Sequence, residues 1–266
     1  MDHDKIIEIL REAAEAVIVP RFRALASGDV TEKAPGEVVT VADREAEAII
    51  GPRLRDLVAA PVVGEEAAAE DPGLVGALAD PGPVWLLDPL DGTANFVAGS
   101  PDHAVMAALV RGGETVAAWI VQPATGRAYA AERGAGAWCG GTRLSCAVTD
   151  GDTAGLRGDA LTRFLSPRAR AHVLAAAPDF ADLGAGTTCA GVEYARIASG
   201  ERHFALFHRT LPWDHAPGAL LVTEAGGTVR RPDGTPYRPA DEGTGLLGAC
   251  DPRAWRSVRD RLAPGT

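Results

Sequence analysis

The sequence predicts an α/β protein in two parts: two helices laid against an antiparallel sheet region, then a mixed region of alternating strands and helices. Three observations carry this. Apolar residues recur every three or four positions in two stretches before residue 58. Three strand-length apolar runs between about 103 and 132 are separated by glycine turns. Beyond about 150, short apolar runs alternate with helical stretches, two of which end on glycine.

Ile6, Leu10, Ala13, Ala14, Val17 and Ile18 form the apolar stripe of a first helix, which Pro20 kinks or shortens. Residues 27–38 are polar and turn-rich and read as a loop or hairpin. Thr40 to Asp43 fit a capping signal for a second helix, with Ala46, Ile49, Ile50, Leu54 and Leu57 as its apolar face. Gly51-Pro52 weakens its middle. Val62-Val63 leads into Gly64-Glu65-Glu66, and Val84 to Leu87 is a buried strand. Strands follow at about 103–110, 115–122 and 127–132, with Gly112-Gly113 and Thr125-Gly126 as turns. The second part places helices at about 167–176, Cys189 to Ser199 and Trp213 to Ala225. It places strands at Phe204 to Phe207 and Leu246 to Ala249, and Asp251-Pro252 opens a terminal helix. A boundary near 150 divides an N-terminal α+β region, residues 1–150, from a C-terminal α/β region, residues 151–266. Residues 139–152 are not an obvious flexible linker, so the two are expected to pack tightly, up to a single domain.

The 266 residues suffice for a large core, and a 46% hydrophobic fraction excludes disorder as the dominant state. With 26 basic against 36 acidic residues the formal charge is −10. Such a surface disfavours nucleic acid and anionic lipid as partners. An anionic substrate then needs positive charge between itself and the protein, and a bound metal would supply it. Cys139, Cys146, Cys189 and Cys250 form no CxxC and have no paired histidines. Neither a zinc site nor a disulfide framework is supported; buried thiols in a reducing cytoplasm are expected. The polar N-terminus is unlike a signal peptide, and no run of about 18 apolar residues exists, so a membrane span is not expected.

Four acidic stations concentrate the chemistry. In Trp85-Leu86-Leu87-Asp88-Pro89-Leu90-Asp91-Gly92-Thr93 an apolar strand ends in two aspartates three apart. Pro89 fixes the turn, so Asp91 can point to the same side as Asp88. Two hard carboxylates with the Leu90 carbonyl suit Mg²⁺, and the N–H groups of Gly92 and Thr93 can meet a phosphate oxygen. A plain Asp-Pro turn explains the proline and glycine but leaves two anions uncompensated. Glu65-Glu66 is the second station. Successive side chains of an extended segment point opposite ways, so at most one is expected to face a metal. Asp214, after Trp213, serves either a helix dipole or the site. Asp43 serves either a capping box with Thr40 or the site.

Together these stations resemble the inositol monophosphatase family. Asp88 to Thr93 and Trp213-Asp214-His215-Ala216-Pro217-Gly218-Ala219, followed by Glu224-Ala225-Gly226-Gly227, resemble its two signature motifs. Gly64-Glu65-Glu66 and Val39 to Asp43 match its other acidic stations in order and spacing, and Gly134-Ala135-Gly136-Ala137 matches its Gly-x-Gly-Ala segment. The resemblance runs from about residue 5 to 262.

It implies a layered α/β sandwich, a cytoplasmic homodimer, and lithium-sensitive, Mg²⁺-dependent hydrolysis of a small phosphorylated metabolite. The substrate class is a phosphate monoester, like inositol monophosphate or another sugar or polyol phosphate. Two to three ions are implied. Glu65, Asp88 and the Leu90 carbonyl would hold one; Asp88, Asp91 and Asp214 a second; Glu65 would reach a third through water. Most metal ligands then lie in residues 1–150. Thr93 and Asp43, assisted by Glu65, would orient and deprotonate the attacking water. Asp91, Gly92, Thr93, Ala190, Phe207 and Asp214 would meet the substrate, and no histidine is required. Thr188-Cys189-Ala190 stands where the family carries Gly-Thr-Ala. Phe207 stands where inositol phosphatases carry a glutamate for the sugar hydroxyls, so the substrate stays open. Fructose-1,6-bisphosphatase, nucleoside 3′,5′-bisphosphate phosphatase and histidinol-phosphatase are the alternatives within the superfamily. A non-catalytic metal-binding scaffold is the competing class, and the complete acidic set argues against it.

Overall fold

The computed structural model describes residues 1–34 and 36–263. Pro35, inside the stretch read as a loop or hairpin, and residues 264–266 of the C-terminal region lie outside the described residues. Helix α1 (His3–Ala13) continues through a π turn at Ala14–Ile18 and a 3₁₀ turn at Val19–Arg21, where Pro20 ends it. Strands β1 (Val30–Ala34) and β2 (Glu37–Thr40) pair antiparallel and lead directly into α2 (Val41–Leu57). α2 runs unbroken through Gly51-Pro52. Pro52 lies on its exposed side, and burial of Ala46, Ile50 and Leu54 offsets the missing backbone bond. Leu57, expected on the buried face, is exposed because the helix ends there.

Strand β3 (Val62–Gly64) runs straight into α3 (Glu65–Glu70), and β4 (Pro83–Asp91) is followed after Gly92 by α4 (Thr93–Val97). Strands β5 (Ala104–Arg111), β6 (Glu114–Gln122), β7 (Arg127–Glu132), β8 (Gly136–Cys139) and β9 (Thr142–Arg143) complete a seven-stranded sheet in sequential order. Only its β3–β4 pair is parallel. The second part holds β10 (Arg157–Ala160), α5 (Pro167–Ala175), β11 (Asp182–Gly184), α6 (Ala190–Ala198) and β12 (Phe204–Phe207). After these come α7 (Pro212–Glu224), β13 (Thr228–Arg230), β14 (Leu246–Ala249) and α8 (Pro252–Leu262). Its sheet is mixed, in the order β11-β10-β12-β14-β13. The elements without a sequence signal, α3, α4, β8 to β11 and β13, are too short to show a period.

The layers follow from alternation along the strands. Trp85, Leu87, Leu109, Trp119 and Val121 face α1 and α2, whereas Met106, Ala118 and Ile120 face α6 and α7. β4, β5 and β6 are therefore covered on both faces and read as near-continuous apolar runs. Helices α6 and α7 also pack against the five-stranded sheet: Phe207 stacks on Tyr194 of α6, while Phe204 faces Phe180 on the other side, where α8 packs. Among the described residues no helix is long and apolar enough to cross a membrane. The four cysteines are unpaired; three are buried, and Cys139 is partly exposed.

Close packing of α6 on α7 depends on Gly218. A Cβ there would lie 1.9 Å from Cδ2 of Tyr194, a fully buried ring with no room to retreat. Gly218→Ala is expected to cost about 1–3 kcal/mol, read as a lower urea midpoint with an unaltered m-value; an unshifted midpoint would show that Tyr194 moves aside freely.

Candidate active site

In a regular strand Asp88 and Asp91, three apart, would point to opposite faces. β4 slips by one residue between them: Asp88 pairs with Met106 and Asp91 with Ala104. The bulge absorbs Pro89, which has no N–H for the ladder, and both carboxylates line one cavity of about 270 Å³. Asp88 is only 1% exposed, and its Oδ1 accepts from the Leu90 N–H at 3.0 Å. Gly92 then turns the chain at φ +82°, where a Cβ would sit 2.8 Å from the Asp102 carbonyl oxygen.

Glu65 and Asp214 reach the same cavity from helix starts, at the first residue of α3 and in the first turn of α7. Glu65-Glu66 is thus the opening of a helix and not the extended segment the sequence suggested, and strand alternation does not decide between the two acids. Glu65 lines the cavity; Glu66, 8% exposed, does not. Lys33 of β1 bridges the pair, with Nζ 3.3 Å from Glu65 Oε1 and hydrogen-bonded to Glu66. Glu47 of α2 caps α3 by accepting from the N–H groups of Glu66 and Ala67, both at 2.9 Å. Gly64 permits this approach, since a Cβ there would meet the Glu47 carboxyl at 2.3 Å.

Asp43 combines the two roles the sequence left open. Its Oδ2 accepts from the Thr40 N–H at 2.8 Å and Oγ1 at 2.6 Å, completing the capping box of α2. Its Oδ1 faces Thr93 Oγ1 at 2.8 Å. The same hydroxyl lies 2.9 Å from the Leu90 carbonyl, so its single proton has two acceptors in reach.

Electrostatics make the cavity costly for its own acids. Burial first, then Glu65, Asp91 and Asp214, push the Asp88 carboxyl well above the usual carboxylate range. Asp214 is raised likewise by burial, Asp91 and Glu65, and comes within hydrogen-bonding reach of Asp88. Burial pushes Glu65 up to about 7 despite Lys33. It pushes Asp91 up to about 6 despite the hydrogen bond from the Gly191 N–H at 2.7 Å. Burial also raises Asp43, against the hydrogen bonds it accepts. Among the described residues no three His, Cys, Asp or Glu side chains already close into a metal cage; Glu65 leans on Lys33 and Asp91 on Gly191. Their hard oxygen donors nonetheless suit a divalent cation that keeps part of its water.

The remaining expected residues fall around this centre. Leu90, Gly92, Thr93 and Ala190 line the cavity. Phe207 lines it too but is 4% exposed, stacked on Tyr194 at 4.9 Å and edge-on to His215 at 4.8 Å. His215 gives its Nε2 proton to the Arg209 carbonyl at 2.9 Å, so Nδ1 accepts from the Tyr194 hydroxyl. Burial holds its pKa down to about 4, and the neutral ring pins the wall of the cavity. Cys189 is more than a small core residue, because its Sγ lies 3.1 Å from Asp91 Oδ2. Lys33 and Glu47 went unmarked in the sequence, and Cys189 was marked only as part of the Thr188-Cys189-Ala190 segment and as a buried thiol. Of the two unmarked residues Lys33 carried a signal, as one of two lysines against 24 arginines.

An acidic cavity at a strand end and two helix starts, in an α/β sandwich, suits a metal-dependent phosphatase. The chain matches the Inositol monophosphatase family over residues 2–262 and belongs to it; it is a phosphoric monoester hydrolase. It is 36% identical over 231 residues to an inositol-1-monophosphatase of Rhizobium meliloti, covering 82% of this chain and 81% of that one. It is 28% identical to a fructose-1,6-bisphosphatase/inositol-1-monophosphatase of Thermotoga maritima, over 85% and 83%. In fold it matches the extragenic suppressor protein suhB of Bartonella henselae with a TM-score of 0.84 at 23% identity, over 99% and 98% of the two chains.

The raised carboxyls predict a pH signature. Without metal, Glu65, Asp88 and Asp214 keep protons that the unfolded chain has already released, so stability falls as pH rises towards and past about 7. His215, depressed to about 4, works the other way below its ordinary 6.5. The clean window is therefore about pH 6.5 to 8. The thermal midpoint in EDTA should drop across that window, and a saturating divalent cation should remove the site's share of the drop, because bound ligands are already ionised, leaving the share of Glu193, which burial outside the cavity also pushes up to about 7. A level profile in EDTA would mean that these acids ionise freely.

Proposed function

We propose that the protein hydrolyses small phosphate monoesters with Mg²⁺, by direct attack of water. The observation that carries this is the meeting of Glu65, Asp88, Asp91 and Asp214 in one cavity beside the Thr93–Asp43 pair. Mg²⁺ takes few carboxylates and retains waters, and the four acids with the Leu90 carbonyl match that donor set. Glu65, Asp88 and Leu90 would hold one ion, Asp88, Asp91 and Asp214 a second, and Glu65 a third through water. Bound there, Mg²⁺ neutralises the phosphate and acidifies the water beside it.

The chain's own residues supply orientation and proton handling. With its proton directed at Asp43, the Thr93 hydroxyl offers a lone pair to the attacking water and aims it at phosphorus. Asp43, buried and raised, is a stronger base than an exposed aspartate. Glu65 assists from the other side. The N–H groups of Gly92 and Thr93 and the wall at Ala190 position the phosphate. Phe207 offers no acceptor to a polyol hydroxyl, so inositol 1-phosphate is one substrate among several. Li⁺, near Mg²⁺ in size with half the charge, would inhibit at the Asp88–Asp91–Asp214 position. A cytoplasmic homodimer without a nucleic-acid partner completes the reading, the last point supported by the charge of −10.

Phosphate should be released from a simple monoester in Mg²⁺ and not in EDTA. Asp88→Asn should abolish this release, and Glu65→Gln should cost far more than Glu66→Gln, because Glu66 does not line the cavity and pairs with Lys33. Equal losses from the two glutamate variants would overturn the assignment.

Thr93→Ala and Asp43→Asn should each lower kcat by roughly 10²–10⁴-fold, with the double variant little worse than either single one. Asp43→Asn should also lower stability by weakening the capping box of α2, which Thr93→Ala should keep. Multiplicative losses in kcat would show that the two residues do not share a task.

A further inference from the structure

The cavity has a second pole. Besides the four carboxylates it is lined by Thr162, Arg163, Phe164 and Arg170, and by Arg209 and Lys33. The charges here divide into two kinds. Lys33 is consumed by Glu65 and Glu66, and Arg209 by an ion pair with Glu37. Arg163 and Arg170 form no ion pair among the described residues. Arg163 donates to the Gly36 carbonyl, and Arg170 Nε lies 3.3 Å from Thr162 Oγ1. In a chain of net charge −10, two guanidiniums are thus left uncompensated on the wall of the cavity that holds the acidic cluster.

Phe164 holds the first of them, as Thr162 holds the second. Phe164 is 42% exposed at the cavity. Arg163 and Arg209 both stack on it, at 5.0 and 4.7 Å from the ring centre. Stacking orients a guanidinium by its face and leaves N–H donors along its edge free for an anion. The ring is already occupied by cations, so it is not a platform for a flat leaving group.

We infer that Arg163, stacked on Phe164, and Arg170, held by Thr162, form an anion subsite, and that the preferred substrate carries a second anionic group besides the phosphate that is cleaved. The inference rests on the phosphatase reading and adds the substrate class to it: a compact phosphate monoester with a further phosphate or carboxylate at its far end. The size agrees, because about 270 Å³ lies just under the roughly 300–1,000 Å³ range of ligand pockets. The two poles also suit such a molecule electrically, one anion meeting the cluster through metal and the other meeting arginine directly.

Matched substrates test this in Mg²⁺: glucose 1-phosphate, glucose 1,6-bisphosphate and glucuronic acid 1-phosphate, with fructose 1-phosphate and fructose 1,6-bisphosphate as a second series. The wild type is expected to show a higher kcat/KM for the doubly anionic member of each series. The glucuronic acid ester tells carboxylate from phosphate recognition. Arg163→Gln and Arg170→Gln should each reduce the ratio of kcat/KM, doubly anionic over singly anionic, by about tenfold, the usual worth of one charge-assisted hydrogen bond. The loss should appear mainly in KM and deepen in the double variant. Arg170→Gln is the cleaner arm, since Arg163 also ties down Gly36. A wild type that ignores the second anion in both series, or variants that leave the ratio where it was, would overturn the subsite while phosphate release from the monophosphates upheld the phosphatase reading. No release from any ester would overturn that reading, and the subsite with it.

Discussion

Four carboxylates share one cavity, where burial makes each harder to ionise and, at Asp88 and Asp214, the neighbouring acids add to the penalty. Much of the surrounding architecture serves to hold them against that penalty. The bulge in β4 turns Asp88 and Asp91 to one side, where an unbroken strand would have parted them. Lys33 reaches across from the hairpin to steady Glu65, and the Gly191 N–H at the start of α6 steadies Asp91. Glu47 fixes the start of α3 and so the root of Glu65. None of these neutralises the cluster. The charge still missing is what a divalent cation would contribute, and for that reason the cavity reads as a binding site and not as a satisfied core network.

The same economy of parts shows at Asp43. One carboxylate closes the capping box of α2 with one oxygen and faces Thr93 with the other. A helix cap is a rigid place to keep a base, because the backbone that it satisfies also fixes its direction. Structural and chemical roles are therefore not alternatives at this residue.

How much the sequence disclosed follows from distance along the chain. Asp88 and Asp91 could be read because they share a nine-residue strand; the layered architecture could be read because its larger elements carry a clear period. Glu65 against Glu66 could not be settled, since the decision lies with Lys33 and Glu47, 32 and 19 residues away, and with a helix start where strand alternation does not apply. Phe207 was open between pocket and core. The stack with Tyr194 and the edge contact with His215 show a residue packed into the core whose surface borders the cavity. Short strands such as β11 and β13, of three residues each, are made by their neighbours in the sheet and not by local pattern.

This division separates chemistry from specificity. The acidic pole is built from strand and helix ends whose motifs are contiguous, so its composition is written locally, although its geometry rests on the pairing of β4 with β5 and on Lys33 and Glu47. The guanidinium pole comes from the loop before α5, the first turn of α5, and the segment between β12 and α7. Its residues meet only because two sheets and a hairpin converge on one cavity. Loops of this kind can exchange side chains without disturbing the bulge, the caps or the α6–α7 packing beneath them. A fold that keeps its acids on rigid elements and its recognition on loops can retain one reaction while the molecule it acts on changes. Arg163, Phe164 and Arg170 mark the place on this chain where that change would be written.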